Sequence, residues 1–127
     1  MIIGRGTAGR ILSHEEIRDT VSEAASCLRI DGQRLLVLIP DGTRTMPMPQ
    51  MFSLFQELLR PRVRVLDYLV ALGTHPLMTD EQLSKLIGRP VVHEQTEGTR
   101  IFNHHWEDPK NFAHLGTIPA SEITQIT

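Results

Sequence analysis

The chain is poor in the features that would tie it to an oxidising compartment, a membrane or a nucleic acid. It has one cysteine, Cys27, among 127 residues, which excludes an internal disulfide framework. Set in a helical stretch, that cysteine reads as a packed thiol. The longest apolar runs, LLVLIP and YLVAL, fall far short of the roughly 20 residues that a membrane span needs. The opening MIIGRGTAGRIL lacks the apolar stretch and cleavage site of a signal peptide, so a cytoplasmic location is the default expectation. Charge of one sign is scarce too. The formal net charge is −2, with no basic run, and this argues against nucleic acid or an acidic membrane as partner. The string GRGTAG follows no hydrophobic strand and carries no lysine, so it is not a phosphate loop. No serine sits in a nucleophile elbow, and no paired-cysteine zinc motif exists.

What is present suits one folded domain over residues 1–127. A chain that is 40% hydrophobic and 22% charged has the balance of a globular protein rather than a disordered one. Its length supports one core and is too short for two. Ser13 with Glu16 forms a capping box, and Ile17, Val21, Ala24, Ala25 and Leu28 follow at helical spacing. Asp31-Gly32 stops that helix. Leu35 to Ile39 is an unbroken apolar run, which predicts a strand buried on both faces of a parallel sheet. After the loop DGTRTMPMP, residues Met51, Phe52, Leu54, Phe55, Leu58 and Leu59 give a second helix a broad apolar stripe. Val63 to Leu72 reads as a second strand and Gly73 to Met78 as a loop. Thr79 with Gln82 caps a third helix, which Gly88 and Pro90 end. Farther on, VVHEQ and TRIFNH read as short strands, EDPKNFAHLG as a turn or short helical piece, and IPASEITQIT as the start of another strand.

The repeated order strand, loop, helix is the βαβ pattern, so the expected fold class is α/β, a Rossmann-like parallel sheet with flanking helices. Parallel strands put their following loops on one edge, where ligands of open α/β sheets bind. DGTRTMP and GTHPLMT should therefore face one crevice. Arg44 offers a planar fork suited to a carboxylate or phosphate. Asp41 could orient Arg44 or accept a ligand hydroxyl, and Thr43 offers a hydroxyl and an N–H. His75, beside Gly73 and Thr74, can exchange a proton near neutral pH. An arginine and a histidine on one edge suit a small hydroxy or keto acid. His104, His105 and Trp106 form a further cluster. Adjacent histidines on a strand point to opposite faces, so the pair is poorly placed to share a metal, and His93 and His114 add no recognised metal spacing. Packing and loop hydrogen bonding are the plainer role for this cluster.

Three segments carry a resemblance to a known family. LIPDGTRTMPMP, ALGTHPLMTDEQL and NHHWEDPKNFAHLGTI are similar, in order and spacing, to motifs of the nickel-pincer-nucleotide-dependent lactate racemases, over roughly residues 35–120. The resemblance implies the incomplete N-terminal part of a racemase acting on 2-hydroxy acids by proton-coupled hydride transfer. It implies that His75 is one of two acid/base histidines and that Arg44 holds the substrate carboxylate. Asp41 and Thr43 would line the substrate and cofactor pocket, with Gly73 and Thr74 on the cofactor side. The family's second acid/base histidine, its cofactor lysine and its nickel-ligating histidine have no counterparts here, so no residue is assigned to a metal. Two alternatives stand beside this reading. One is a non-catalytic module binding a small carboxylate or phosphate. The other is a domain completed by a second copy or by a missing C-terminal segment.

Overall fold

The structure is a computed structural model that describes residues 2–6 and 8–126. The elements run α1 (His14–Ser26), β1 (Arg34–Pro40), α2 (Met48–Leu58), β2 (Val65–Ala71), α3 (Asp80–Ile87), β3 (Gln95–Thr96), β4 (Thr99–Asn103), a 3₁₀ turn (Pro109–Asn111) and α4 (Ala120–Ile126). One four-stranded sheet has the order β1-β2-β4-β3. β1 pairs parallel with β2 from Arg34↔Val65 to Pro40↔Ala71. β2 pairs parallel with β4 at Tyr68↔Ile101, Leu69↔Phe102 and Val70↔Asn103. β3 pairs antiparallel with β4. The fold class is thus α/β, mostly parallel and flanked by helices, as the βαβ pattern predicts.

Both expected capping boxes form. Ser13 Oγ accepts from Glu16 N, and the Glu16 carboxylate accepts from Ser13 N. Thr79 and Gln82 exchange the same pair of bonds at the start of α3. Each box satisfies two N–H groups that a helix start leaves without partners. Gly88 ends α3 in the left-handed conformation, with φ at 71°. A Cβ there would lie 2.7 Å from the Pro49 ring, so this glycine serves both the turn and the contact between α2 and α3.

The core lies between the sheet and its helices. Ile39, Leu66, Tyr68, Val70 and Ile101 meet Met48 and Phe52 of α2 and Leu83 and Ile87 of α3. The Phe52 and Tyr68 rings stand 4.9 Å apart at 41°. Alternation places the other strand residues on the opposite face, where Leu36 is 51% and Leu38 67% exposed. The apolar run of β1 is therefore buried on one face and not on both as expected. The difference arises because the helices that pack on the sheet all use the Ile39–Tyr68–Ile101 side.

Three other expectations need correction. Cys27 is exposed rather than packed. It caps the C-terminus of α1, and that helix turns only Ala25 fully inward. Residues 120–126 form a helix instead of a strand. The Pro119 carbonyl starts it, accepting from Glu122 N at 3.0 Å. The VVHEQ stretch contributes only the Val92–Gln95 bridge and, in Gln95, one of the two residues of β3. No described helix is long and apolar enough to cross a membrane.

Candidate active site at the carboxyl edge of the sheet

Parallel pairing of β1 and β2 brings the ends of both strands, Pro40 and Ala71, side by side. The segments that follow then meet. Asp41 is 7% exposed and folds an Asx turn, its Oδ1 accepting from Thr43 N at 3.1 Å and Thr43 Oγ1 at 2.6 Å. Its Oδ2 contacts His75 Nδ1 across 34 positions of sequence. His75 sits in a turn closed by its own N–H on the Leu72 carbonyl at 3.0 Å. Gly73, with φ at 61°, supplies the left-handed residue that the turn requires.

This arrangement has a clear electrostatic signature. The Thr43 hydroxyl, then His75, and then the Thr43 N–H hold the Asp41 carboxyl down at about 2, against the opposing effect of burial. Asp41 is therefore an anion at neutral pH. In the neutral imidazole, a proton on Nδ1 faces that anion and Nε2 carries the lone pair. The imidazole is 52% exposed, and no hydrogen bond to Nε2 forms among the described residues.

Asp41, Thr43, Arg44 and His75 line one cleft of about 690 Å³. The Arg44 side chain makes no hydrogen bond or ion pair among the described residues, so its fork of donors is available to a ligand. Thr74 lies elsewhere, lining a neighbouring hollow of about 500 Å³ with His105 and Trp106. Pro76 and Leu77 form the ridge between the two spaces. Gly73 lines neither, and its part is to shape the turn.

Sequence reasoning missed the far wall of the cleft. Gln82, Lys85 and Leu86 line it from α3, spaced i, i+3, i+4 and so on one helical face. That spacing was a readable signal once the Thr79 cap had set the helix register. Lys85 also pairs with Glu81 at 3.2 Å. The third segment, after β4, reaches the same sheet edge because β4 too runs parallel to β2. Trp106 Nε1 donates to the His75 carbonyl at 3.1 Å, and Asn103 bonds both backbone groups of Met78. His104 packs edge-on to Phe112 at 5.8 Å. Among the described residues no group of three or more His, Cys, Asp or Glu could hold a metal ion.

Fold and site together define a Rossmann-like domain that gathers its polar side chains at the carboxyl edge of a parallel sheet. Within that class, the chain belongs to the lactate racemase N-terminal domain family, whose family model matches residues 13–127. A solved protein from Thermotoga maritima is similar in structure, with a TM-score of 0.73 and 26% identity over 91% of this chain. The present chain spans 27% of that protein's length. Nothing among curated proteins matches.

Proposed function

We propose that the cleft receives a small 2-hydroxy acid, with Arg44 on the carboxylate and His75 taking and returning the hydroxyl proton. The observation that carries this reading is the Asp41–His75 pair beside an unengaged arginine. Donation of Nδ1–H to an anionic carboxylate fixes the imidazole tautomer and leaves Nε2 as the base. Asp41 also stabilises the imidazolium that forms when the hydroxyl proton arrives. Thr43 spends its hydroxyl and N–H on Asp41, so its part is to orient that carboxylate. Arg44 can grip the two carboxylate oxygens with parallel bonds, which fixes the substrate plane relative to His75.

Membership of the family points to a nickel-pincer nucleotide, which when bound would accept the hydride from the substrate carbon. The residues present fit its anionic part: a cleft of about 690 Å³ exceeds the needs of a three-carbon acid, and Lys85, which also pairs with Glu81, lines it with a cation besides Arg44. They do not ligate the metal as a cluster, so the metal would depend on the nucleotide and on groups outside this set. Racemisation also needs a proton relay on the opposite face of the keto acid. Among the described residues His75 is the one imidazole lining the cleft, so the 127-residue chain should bind but not turn over.

The test has two parts. Titrating the chain with lactate should perturb the NMR signals of Arg44 and His75, and Arg44→Ala should abolish that response. In a longer family polypeptide carrying this domain, His75→Ala should lower the racemisation rate by about 10²–10⁴-fold. Parental turnover in His75→Ala sinks the acid/base role. If binding also survives that change but fails in Arg44→Ala, the domain is a non-catalytic anion-binding module.

A further inference from the structure

We propose that Trp106 and Asn103 are positioning residues for His75, bracing its loop from the end of β4 so that the imidazole stays on Asp41. The proposal rests on the reading of His75 as the acid/base group, but its geometry stands apart from turnover. The loop from Gly73 to Met78 has no regular structure of its own, and a half-exposed imidazole on such a loop would sample several rotamers. Three anchors oppose this. His75 N–H bonds the Leu72 carbonyl at 3.0 Å, and the His75 carbonyl accepts from Trp106 Nε1 at 3.1 Å. Met78 N donates to Asn103 Oδ1 at 2.8 Å, and the Met78 carbonyl accepts from Asn103 Nδ2 at 3.1 Å. Both backbone groups of His75 and both of Met78 are thereby held.

Asn103 is itself fixed. It is 7% exposed, and its second Nδ2 hydrogen goes to Glu94 Oε1 at 2.8 Å. A carboxylate accepts only, so Glu94 determines which way the amide faces. Glu94 is held in turn by a tight turn with left-handed residues at His93 (φ 51°) and Glu94 (φ 56°). Neither is glycine, and such a conformation costs about 1–3 kcal/mol per residue unless its surroundings impose it. Asp80 imposes it, accepting from His93 N at 2.7 Å and Glu94 N at 3.1 Å. Those two N–H groups, Glu94's first, lower the Asp80 carboxyl below its ordinary value. A chain of bonds therefore runs from the start of α3 through Glu94 and Asn103 to Met78, while Trp106 reaches His75 directly. A precisely held side chain needs such supporting bonds behind it.

The experiment is NMR of the imidazole ring in the 127-residue chain labelled with ¹⁵N-histidine. The wild type should show one His75 tautomer and a slowly exchanging, downfield Nδ1 proton. Trp106→Phe keeps a large ring and removes only the donor. It should speed exchange of that proton by about tenfold, the factor that goes with one hydrogen bond. In an Asp41→Asn background the same change should add nothing to the ring signals, whereas a general loosening of the fold would still register. Asn103→Ser serves as the second variant and should broaden the amide signals from Gly73 to Met78. A His75 ring that is unchanged in Trp106→Phe overturns the brace and leaves the Asp41–His75 pair intact. A wild-type ring with mixed tautomers overturns the pair, and the brace with it.

Discussion

Replacing Asp41 with asparagine removes one charge at nearly constant shape, and the structure sets the size and pH range of the effect. The folded-state carboxyl is depressed from an ordinary 3.8 to about 2. A group depressed on folding adds stability that is fully present above its unfolded value and is lost as pH falls through the folded one. At full coupling that shift corresponds to about 2 kcal/mol. The His75 ring is half open to solvent, which screens part of the interaction, so about 1 kcal/mol is the figure to expect. Urea denaturation of wild type and Asp41→Asn at a series of pH values measures it. The gap between the two should be constant above about pH 4 and close between pH 4 and pH 2. Other carboxyls, including Glu16 and Asp80, titrate in both proteins and cancel in the difference. A gap of equal size at pH 6 and pH 2, or none at either, would refute the electrostatic account of the Asp41 turn.

Three further outcomes follow from packing. Gly88→Ala should destabilise by about 2 kcal/mol in the same denaturation assay, because the new methyl strikes Pro49 in a left-handed backbone position. Tyr68→Phe should leave stability unchanged or raise it by up to about 1 kcal/mol. Among the described residues the fully buried Tyr68 phenol has no hydrogen-bond partner within bonding distance; nearby Gln56 donates one Nε2 hydrogen to Thr99 Oγ1 at 3.1 Å instead. Burial pushes that phenol above its ordinary range. Leu38→Thr, on the exposed sheet face, should change stability by no more than about 0.5 kcal/mol and reduce light scattering by concentrated samples.

The two helix starts were legible because capping is local. Ser13 with Glu16 and Thr79 with Gln82 declare themselves within four residues. The meeting of Asp41 with His75 was legible through one topological rule, since two parallel strands must present their following loops together. The bare face of β1 was not legible, because an apolar run says what a residue prefers and not what else is at hand to cover it. Leu36 and Leu38 look the same in sequence whether or not a second helical layer lies over them. The tail misled through its isoleucines and threonines, which favour strands, yet residues 120–126 form a helix. Lys85 escaped notice because its role depends on which face of α3 turns to the cleft. Trp106 was legible as a loop hydrogen-bonding residue, but its partner His75 and the part played by Asn103 were not, because β4 had to be known as parallel before its end could be placed beside His75.

The Asp41–His75 contact has a consequence for how the chain folds. A parallel pair cannot zip from a hairpin; its two strands meet only after the crossover, here the whole of α2, has closed. The carboxylate and imidazole lie 34 positions apart, so they come together only as that long-range step completes. No early, locally structured species can hold the imidazole in the tautomer that the proposed proton transfer needs. The orientation of the ring by Asp41 is thus a readout of native β1–β2 pairing, and a partly folded chain lacks the pair altogether.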